Sequence, residues 1–468
     1  MAAMISIVVR TRVLPWLALG ALAGCAGAAN VPSQMPASMP GSQAPASSAA
    51  VSASQAADTP SDFGEIKGSL HEYLAYALAN SPETRASFEL WRAARFRISR
   101  AGRLPEPTIA FGYFLRTVET RVGPQRYKLG VSQAFPWPTK LSAGEDAAAE
   151  RAKAAARVVD ANVLAVRKSV AEVYWTLWLI GEEHRLKTQH DAVLESLAGA
   201  VRGRLQVGAA TLADLSLVDL NIARHHDHLG QHEQAARRAS SMLRALVGSS
   251  ASNEVLTVSD VPQSGAPVAS DEELAELAAQ HPMIEKFSHL AASEEHVGRA
   301  ERADRYPKFK IGLGIIGTGE VAMAGVEDSG KDAVVLSAAL SIPLWAGSYS
   351  DAADAAEANR NAHDAMREAS LRQLEAMLGE ALANVRNAQR RIELYQKTLV
   401  PQAETTFQAV LGGYQAGRAT VAAVILAQRD LIDLQVEYAG ARADYAKSWA
   451  ALEFVAGTQL EAKGELND

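Results

Sequence analysis

The chain has 468 residues, of which 48% are hydrophobic and 21% are charged, and this composition excludes an intrinsically disordered protein. Lysine and arginine total 46 against 53 acidic residues, so the formal net charge of −7 argues against a nucleic-acid-binding protein. Beyond the N-terminal region the sequence has no run of about 18 or more apolar residues, so no transmembrane helix is expected in the mature protein.

Residues 1–24 have the pattern of a secretory signal peptide. Arg10 and Arg12 form a basic region, Val13–Ala23 is a short apolar segment, and small residues follow. The apolar segment is too short to be a stable membrane-spanning helix. We therefore expect these residues to be removed from the mature protein.

The signal peptide ends at the sequence Leu22-Ala23-Gly24-Cys25, which matches the lipobox of bacterial lipoproteins. Cys25 is the only cysteine in the chain, so it has no disulfide partner. We expect Cys25 to become the mature N-terminus and to carry a thioether-linked diacylglycerol and an N-acyl chain, because several acyl chains anchor a protein far better than one. The alternative is an incidental cysteine at the end of a signal peptide. By resemblance to bacterial lipoproteins, Ala26 rather than Asp after the cysteine indicates the outer membrane.

Residues 25–62 are predicted to form the lipidated cysteine and a flexible tether. They are almost entirely Ala, Ser, Pro, Gln, Gly and Met. A segment of this composition cannot bury a hydrophobic core and is typical of linkers. Ordered structure is expected to begin near Phe63.

The rest of the chain is two copies of one pattern. We predict repeats at 63–250 and 271–458, joined by a linker at 251–270 and followed by a C-terminal tail at 459–468. Landmark residues recur in the same order in both copies, at offsets that grow gradually along the chain. The paired landmarks are Ala79–Pro82 with Ala279–Pro282, Phe135-Pro136 with Ile342-Pro343, Gly208 with Gly417, and Gly248 with Gly457. Each copy is predicted to run helix, strand, strand, very long helix, tight turn and helix.

Each copy contains two segments in which apolar residues alternate with small or polar ones. The segments are Ile109–Leu115, Tyr127–Phe135, Phe309–Ile315 and Val334–Ile342. Such alternation predicts strands with one apolar face, and about nine residues are enough for a tilted strand to cross a bilayer. The alternative is a small soluble antiparallel sheet with one buried face.

Four strands from one chain are too few to form a membrane barrel. Open sheet edges cannot lie in lipid, so membrane strands must form a closed barrel, and bacterial barrels begin at about eight strands. The chain is therefore predicted to supply a fraction of a shared barrel. Three copies would give about twelve strands, whereas two copies would give a barrel of about eight that is too narrow to pass a solute.

The segments after the strands are predicted to be very long helices. From about Leu141 to Leu205, and from about Ser348 to Leu411, the only helix breakers are scattered glycines and Pro401. A helix of about 60 residues spans roughly 90–100 Å. Apolar residues recur at spacings of three and four in both segments, as in a coiled-coil seam, so the helices are predicted to pack as a tube.

Together these features resemble the TolC family of outer-membrane efflux proteins over essentially everything after the tether. The resemblance is carried by the duplicated order of elements, by two strand-to-helix junctions and by two hairpin turns. The junctions contain Phe135, Pro136 and Trp137 in the first copy and Pro343 and Trp345 in the second. The turns contain Val207, Gly208, Thr211 and Leu212 in the first copy and Gly417, Arg418, Thr420 and Val421 in the second.

The resemblance implies a mainly α-helical protein with a small membrane β part. Three chains would form a TolC-like homotrimer, with a β-barrel of about twelve strands in the outer membrane and a helical tunnel through the periplasm. The turn residues would lie at the periplasmic tip, where family members meet a periplasmic adaptor (a membrane fusion protein) and an inner-membrane pump. The alternative is that the turns only reverse the chain direction. Trp137 and Trp345 fit the aromatic belt at the edge of a membrane.

The Phe135-Pro136-Trp137-Pro138 junction is most similar to the CusC-like and CzcC-like ducts of heavy-metal pumps. That branch often has a glycine at the position of Thr139. The similarity implies heavy-metal cations as cargo and a pump of the RND type. The alternatives are an outer duct for organic drugs or for type I protein secretion, and a structural coiled-coil lipoprotein. No motif of a catalytic site occurs in the sequence, so we expect neither an enzyme nor a cofactor other than the lipid on Cys25.

Four histidines lie close together in the first copy: His225, His226, His228 and His232. Three of them share one helical face, and imidazole binds borderline metals. The sequence has no further cysteine and no established ligand motif beside them. We therefore expect a solvated outer face of the tunnel and assign no metal site, with metal binding kept as a hypothesis.

Overall fold

The computed structural model describes residues 63, 66–250, 252–323 and 325–463. Residues 1–62, which are predicted to form the signal peptide, the lipidated cysteine and the tether, lie outside the described residues. Among the helices that are described, none is both long enough and apolar enough to cross a membrane.

The first repeat contains four helices and two strands. In chain order they are α1 (Leu70–Asn80), α2 (Pro82–Ala101), β1 (Thr108–Thr120), β2 (Gly123–Phe135), α3 (Pro138–Gln206) and α4 (Leu212–Val247). A two-residue strand follows in the connecting segment, β3 (Ala266–Pro267).

The second repeat has the same order of elements, with one interruption in its long helix. Its elements are α5 (Asp271–Ala279), α6 (Pro282–Ala303), β4 (Lys308–Thr318), β5 (Ala333–Ser341), α7 (Ala346–Leu394), α8 (Val400–Gln415), α9 (Val421–Ala456) and the short strand β6 (Ala462–Lys463). The mainly α fold with a small β part and the duplicated order that the sequence predicts are confirmed.

The same local devices start the helices of both repeats. Ser69 caps α1 and Ser270 caps α5, each in a capping box with the glutamate three residues later. The next helix of each repeat begins with a proline, Pro82 or Pro282, whose fixed φ suits the first helical turn and whose missing N–H is not needed there. These short-range patterns explain why the two copies begin alike.

The long helices differ between the copies. Helix α3 has 69 residues without a break, which corresponds to roughly 100 Å. In the second copy a π-helical turn at Tyr395–Leu399 separates α7 from α8, whereas the sequence predicted a continuous helix there. Pro401 lies just after this turn. In a regular α-helix its ring would clash with the carbonyl four residues earlier, and the wider π-helical turn avoids that clash.

The segments predicted as a linker and a tail meet each other. β3 pairs antiparallel with β6, which joins the connecting segment to the end of the chain, and the sequence predicted neither strand. Buried tyrosines hold the connecting segment on the helices: the hydroxyl of Tyr174 donates to the carbonyl of Gly68 (2.8 Å) and accepts from the N–H of Asp260 (3.0 Å). Burial raises the pKa of Tyr174 to about 12, so the hydroxyl keeps its proton at neutral pH.

The core is a series of clusters along the helical body rather than one centre. One cluster joins α1, α3, α4 and α9 around Tyr73 and Tyr174. A second joins α5, α7 and α9 around Leu378 and Leu452. A third, the tip cluster, lies at the far end of the two helical hairpins around Phe407 and Tyr414. The far ends of both hairpins are therefore held together by buried hydrophobic side chains.

Candidate functional site

The four longer strands form one antiparallel sheet in the order β1-β2-β4-β5. Their register places apolar residues of all four strands side by side on one face. One such row runs through Ile109, Val131, Leu313 and Leu336, which are 75%, 47%, 53% and 76% exposed. The alternation that the sequence predicts is therefore confirmed, and it makes a continuous apolar face across the sheet.

The opposite face of the sheet is made mainly of small and polar residues. The neighbouring row runs through Ala110, Gly130, Gly314 and Val335. The strands have 13, 13, 11 and 9 residues, so β1 and β2 are longer than the nine or so predicted. At about 3.4 Å per residue, β1 extends roughly 40 Å, enough to cross a hydrocarbon core of about 30 Å when tilted.

The exposure of the apolar face distinguishes between the two readings of these strands. A soluble sheet buries its apolar face, but Leu115 is 96% exposed and Phe111 is 69% exposed in one protomer. A contiguous exposed apolar surface of this size marks contact with lipid or with another chain. In the described part of the chain, β1 and β5 each pair on one side only, so both edges offer unpaired backbone groups to further strands.

The strand-to-helix junctions carry aromatic residues at one end of the sheet. Phe135 pairs with Phe309 across β2 and β4, and Trp137 stacks on Tyr306 with ring centroids 4.8 Å apart. Trp345 is 73% exposed at the start of α7. The two tryptophans therefore differ: one is packed against the protein, and the other is directed to the surroundings.

A charged cluster behind the first junction was missed by sequence reasoning. Asp304 follows α6 and forms ion pairs with Lys140 of α3 and Lys308 of β4, the latter at 3.1 Å. Burial by itself would raise the pKa of Asp304, but the hydrogen bonds and charges of the two lysines outweigh it and hold the pKa below its usual value. The cluster ties the start of the long helix to the start of a strand.

The first hairpin tip (residues 207–212) closes with a left-handed glycine. Gly208 has a φ of 73°, which an L-residue with a side chain rarely adopts. The N–H of Ala209 donates to the carbonyl of Arg204 (2.8 Å), as in a Schellman motif. Thr211 then caps α4 in a capping box with Asp214. Val207 and Leu212 are 77% and 69% exposed, so the tip presents an apolar surface.

The second hairpin tip (residues 416–421) repeats this geometry with one difference. Gly417 has a φ of 74°, the N–H of Arg418 donates to the carbonyl of Gly413 (2.7 Å), and Thr420 caps α9. Val421, the counterpart of Leu212, is only 4% exposed because it packs into the tip cluster. Val421 therefore supports the turn from inside, whereas Leu212 lies on its surface.

Arg204 connects the two tips. Its guanidinium donates from Nη1 to the carbonyl of Tyr414 (2.9 Å) and lies over the ring of the same residue, 4.7 Å from the centroid. Tyr414 itself is buried in the tip cluster. A cation at the C-terminal end of α8 also interacts favourably with the helix dipole. The sequence did not reveal this contact, because the two residues are far apart along the chain.

Known proteins share both sequence features and this fold with the chain. A family model described as "Outer membrane efflux protein" matches residues 274–458, nearly the whole second repeat. The second repeat therefore matches this family, in line with the resemblance to the TolC-family channels. The first repeat carries the same elements in the same order, so the family architecture covers both halves of the chain. Among curated proteins no sequence relative matches.

Solved structures share the fold over most of the chain. A membrane protein from Pseudomonas aeruginosa has a TM-score of 0.71 at 18% identity, covering 83% of this chain and 90% of its own. CusC has a TM-score of 0.70 at 16% identity, with coverages of 83% and 92%. The outer membrane protein VceC from Vibrio cholerae has a TM-score of 0.67 at 19% identity, with coverages of 84% and 97%.

The matching family has a well-defined general role. Members of this family are outer-membrane efflux channels of tripartite systems, and they form homotrimers that work with a periplasmic adaptor and an inner-membrane pump. The solved neighbours are outer-membrane channels that extend into the periplasm. Family members are passive channels and not enzymes.

The histidine run lies on α4, and two of its members contact acidic residues of α3. His226 contacts Asp191 of α3, with Nε2 3.1 Å from Oδ2, and His232 contacts Glu183 of α3, with Nδ1 3.2 Å from Oε2. Burial lowers the pKa of His225 and of His232. The run is therefore part of the packing between two antiparallel helices, and not only an outer face in contact with solvent.

Proposed function

We propose that this outer-membrane channel passes heavy-metal cations that an RND-type inner-membrane pump and a periplasmic adaptor deliver to it. The Phe135-Pro136-Trp137-Pro138 junction supports this cargo, because it is most similar to the ducts of heavy-metal pumps. CusC, among the proteins of the same fold, belongs to that branch. The solved neighbours also include drug-efflux channels, which supports organic drugs as an alternative cargo. Type I protein secretion is the other alternative.

The observation that carries the channel proposal is the open sheet. Four strands present one continuous apolar face and two unpaired edges, and lipid tolerates neither an unpaired edge nor a polar face. Three protomers placed edge to edge would close a barrel of about twelve strands. The apolar row through Val131 would then face lipid, and the small, polar row through Ser132 would face the lumen.

A matched pair of substitutions tests that arrangement. Val131 and Ser132 are neighbours in β2 whose side chains lie on opposite faces of the sheet. An arginine on the lipid side of a barrel costs about 2–4 kcal/mol near the middle of the bilayer, whereas lumen positions tolerate charge. Val131→Arg should reduce the amount of trimer in outer-membrane fractions, and Ser132→Arg should not. Equal abundance of the two variants would contradict the proposed orientation.

We further propose that Cys25 anchors the mature chain through its diacylglycerol and N-acyl chains. Cys25→Ser should abolish labelling with radioactive palmitate and leave an unprocessed signal peptide on gels. A wild-type protein that takes up no label would rule out the lipid. The control is the processed wild-type chain from the same membrane fraction.

We propose that the hairpin tips dock onto the periplasmic adaptor. Val207 and Leu212 are exposed apolar side chains beside Gly208, which makes the first tip a candidate contact surface. Leu212→Glu should weaken adaptor binding without changing the trimer. Val421→Thr serves as the comparison, because Val421 is buried at the matching position and should affect stability more than docking. Unchanged adaptor binding in Leu212→Glu would remove this tip from the interface.

The cargo itself is tested by a deletion strain exposed to metal salts and antibiotics. Sensitivity to zinc, cobalt, cadmium or copper salts that the intact gene restores would support metal efflux. Sensitivity to antibiotics alone would favour drug efflux. Genes for an adaptor and a proton-driven pump beside this one would favour metal or drug efflux over protein secretion, because protein secretion uses an ATP-driven exporter.

A further inference from the structure

One cluster of metal-ligating groups outside the membrane sheet lies between α3 and α4. Asp191 and Glu195 are four residues apart on α3, so they occupy the same helical face. His226 faces them from α4. One oxygen or nitrogen atom of each of these three residues lies within 4.8 Å of the other two. We propose that these three side chains bind a borderline divalent cation such as Zn²⁺, which would link the two helices of the first hairpin.

The donor set suits such a cation. Zn²⁺ takes imidazole nitrogen and carboxylate oxygen at about 2.0–2.2 Å, and sites with three protein ligands leave one position for water. In a tetrahedral site of these bond lengths the donor atoms lie about 3.4 Å apart. Nε2 of His226 and Oδ2 of Asp191 are already 3.1 Å apart, so rotation of the Glu195 side chain is the main adjustment required. The cation would take the place of the hydrogen bond between Nε2 of His226 and Asp191. A neutral imidazole would then hold its one ring proton on Nδ1, whereas an imidazolium would release one proton to solvent.

An unpartnered atom marks the same place. The second carboxylate oxygen of Asp191, Oδ1, is buried and accepts no hydrogen bond within the described chain. The side chain as a whole is 18% exposed. A buried carboxylate oxygen without a donor is costly, and a cation or a bound water would relieve it.

The surface beside the ligands is open enough to admit an ion. A groove of about 330 Å³ runs past Glu195 and His226, where Ala198 and Ala223 leave space between the helices. Two positively charged side chains lie nearby, but both have other partners. Arg202 pairs with Asp219 (3.2 Å), and Lys187 contacts Nε2 of His232 (2.9 Å). The carboxylates of Asp191 and Glu195 thus supply negative charge that no lysine or arginine neutralises in the described structure.

The neighbouring histidines provide an internal comparison. His228 lies two residues from His226 but is exposed and outside the group of converging atoms. A site formed by the three converging side chains therefore needs His226 and tolerates the loss of His228. Non-specific binding to a histidine-rich helix would depend on both alike.

The test is Zn²⁺ binding to the purified, detergent-solubilised trimer after removal of metal with a chelator. Competition against a chromophoric zinc indicator should show one Zn²⁺ per protomer, and Co²⁺ substituted for it should give visible d–d absorption. Asp191→Asn and His226→Ala should each weaken binding at least tenfold, whereas His228→Ala should bind within about twofold of the wild type. Circular dichroism and trimer elution confirm that each variant is folded.

Two results would overturn the site: no stoichiometric binding to the wild type, or equal loss of binding in His228→Ala. The outcome is independent of the proposed cargo, because binding is measured on the isolated protein without transport. Metal sensitivity of the deletion strain tests the cargo separately. A protein that binds Zn²⁺ at this site in a strain that is sensitive only to antibiotics would keep the site and refute the cargo.

Discussion

Replacing Arg204 by alanine should loosen the second hairpin tip. Arg204 belongs to the first hairpin, but its guanidinium donates to the carbonyl of Tyr414 (2.9 Å) and stacks over that ring. The same carbonyl accepts the N–H of Gly417 (3.0 Å). Loss of Arg204 therefore removes a charged hydrogen bond by which a side chain of α3 caps the last turn of α8, next to the second tip.

The size of the effect follows from the two contacts. A hydrogen bond from a charged donor stabilises by about 1.5–3 kcal/mol, and a cation–π contact that is partly exposed adds about 0.5–1 kcal/mol. Because Arg204 is only half-buried, a combined loss of about 2–3 kcal/mol is expected. At about 1.4 kcal/mol per factor of ten, the local opening constant should rise about 30- to 150-fold.

Hydrogen exchange of the tip amides measures this opening directly. The N–H groups of Gly417 and Arg418 should exchange about 30-fold faster or more in Arg204→Ala. The matched control is Arg202→Ala, two residues away, whose ion pair with Asp219 has both side chains at least half exposed and contributes at most about 1 kcal/mol. Exchange in Arg204→Ala that stays within about fivefold of the wild type would refute the coupling of the tips.

Two further perturbations test the junction cluster and the helix ends. Gly248 and Gly457 both end helices in the left-handed region, but a Cβ on Gly248 would lie 2.5 Å from the backbone oxygen of Asn80, whereas one on Gly457 would find only contacts of 3.7 Å or more. Gly248→Ala should therefore cost about 2–4 kcal/mol in urea unfolding and Gly457→Ala about 1–2 kcal/mol, and equal losses would contradict the packing argument. Asp304→Asn should lower stability by about 1–2 kcal/mol at neutral pH. Because the folded pKa of Asp304 is depressed, its contribution is present above the unfolded pKa and is lost as the pH falls through the folded pKa, so the wild type and Asp304→Asn should converge in unfolding midpoint in acid; a constant difference at all pH values would show that the charge is not the cause.

Much of this architecture is encoded locally and was predicted from the sequence. The alternation in Ile109–Leu115 identified a strand with an apolar face, since side chains of a strand point alternately to its two sides. Gly208 and Gly417 identified the hairpin turns, because a left-handed residue after a helix is most easily a glycine. Periodicity and backbone preference act over a few residues, so a sequence displays them directly.

The sequence was less informative where the same local pattern is compatible with two structures. Pro401 was recognised within a helical segment, but the π-helical turn before it depends on how the surrounding helices hold the widened backbone. Val421 and Leu212 occupy matching positions of the two turns and are equally apolar, yet one is buried and the other exposed. The repeats have the same pattern, and their packing environments differ.

The sequence by itself determined the duplicated order of elements, the two faces of the sheet and the positions of the turns. Only the tertiary structure decided that Arg204 meets Tyr414, that Asp304 lies between Lys140 and Lys308, and that Asp191 faces His226. These contacts join residues that are 35 to 210 positions apart, except that Lys308 follows Asp304 by only four residues. No local preference encodes such pairs, because they depend on the register in which long helices pack against one another.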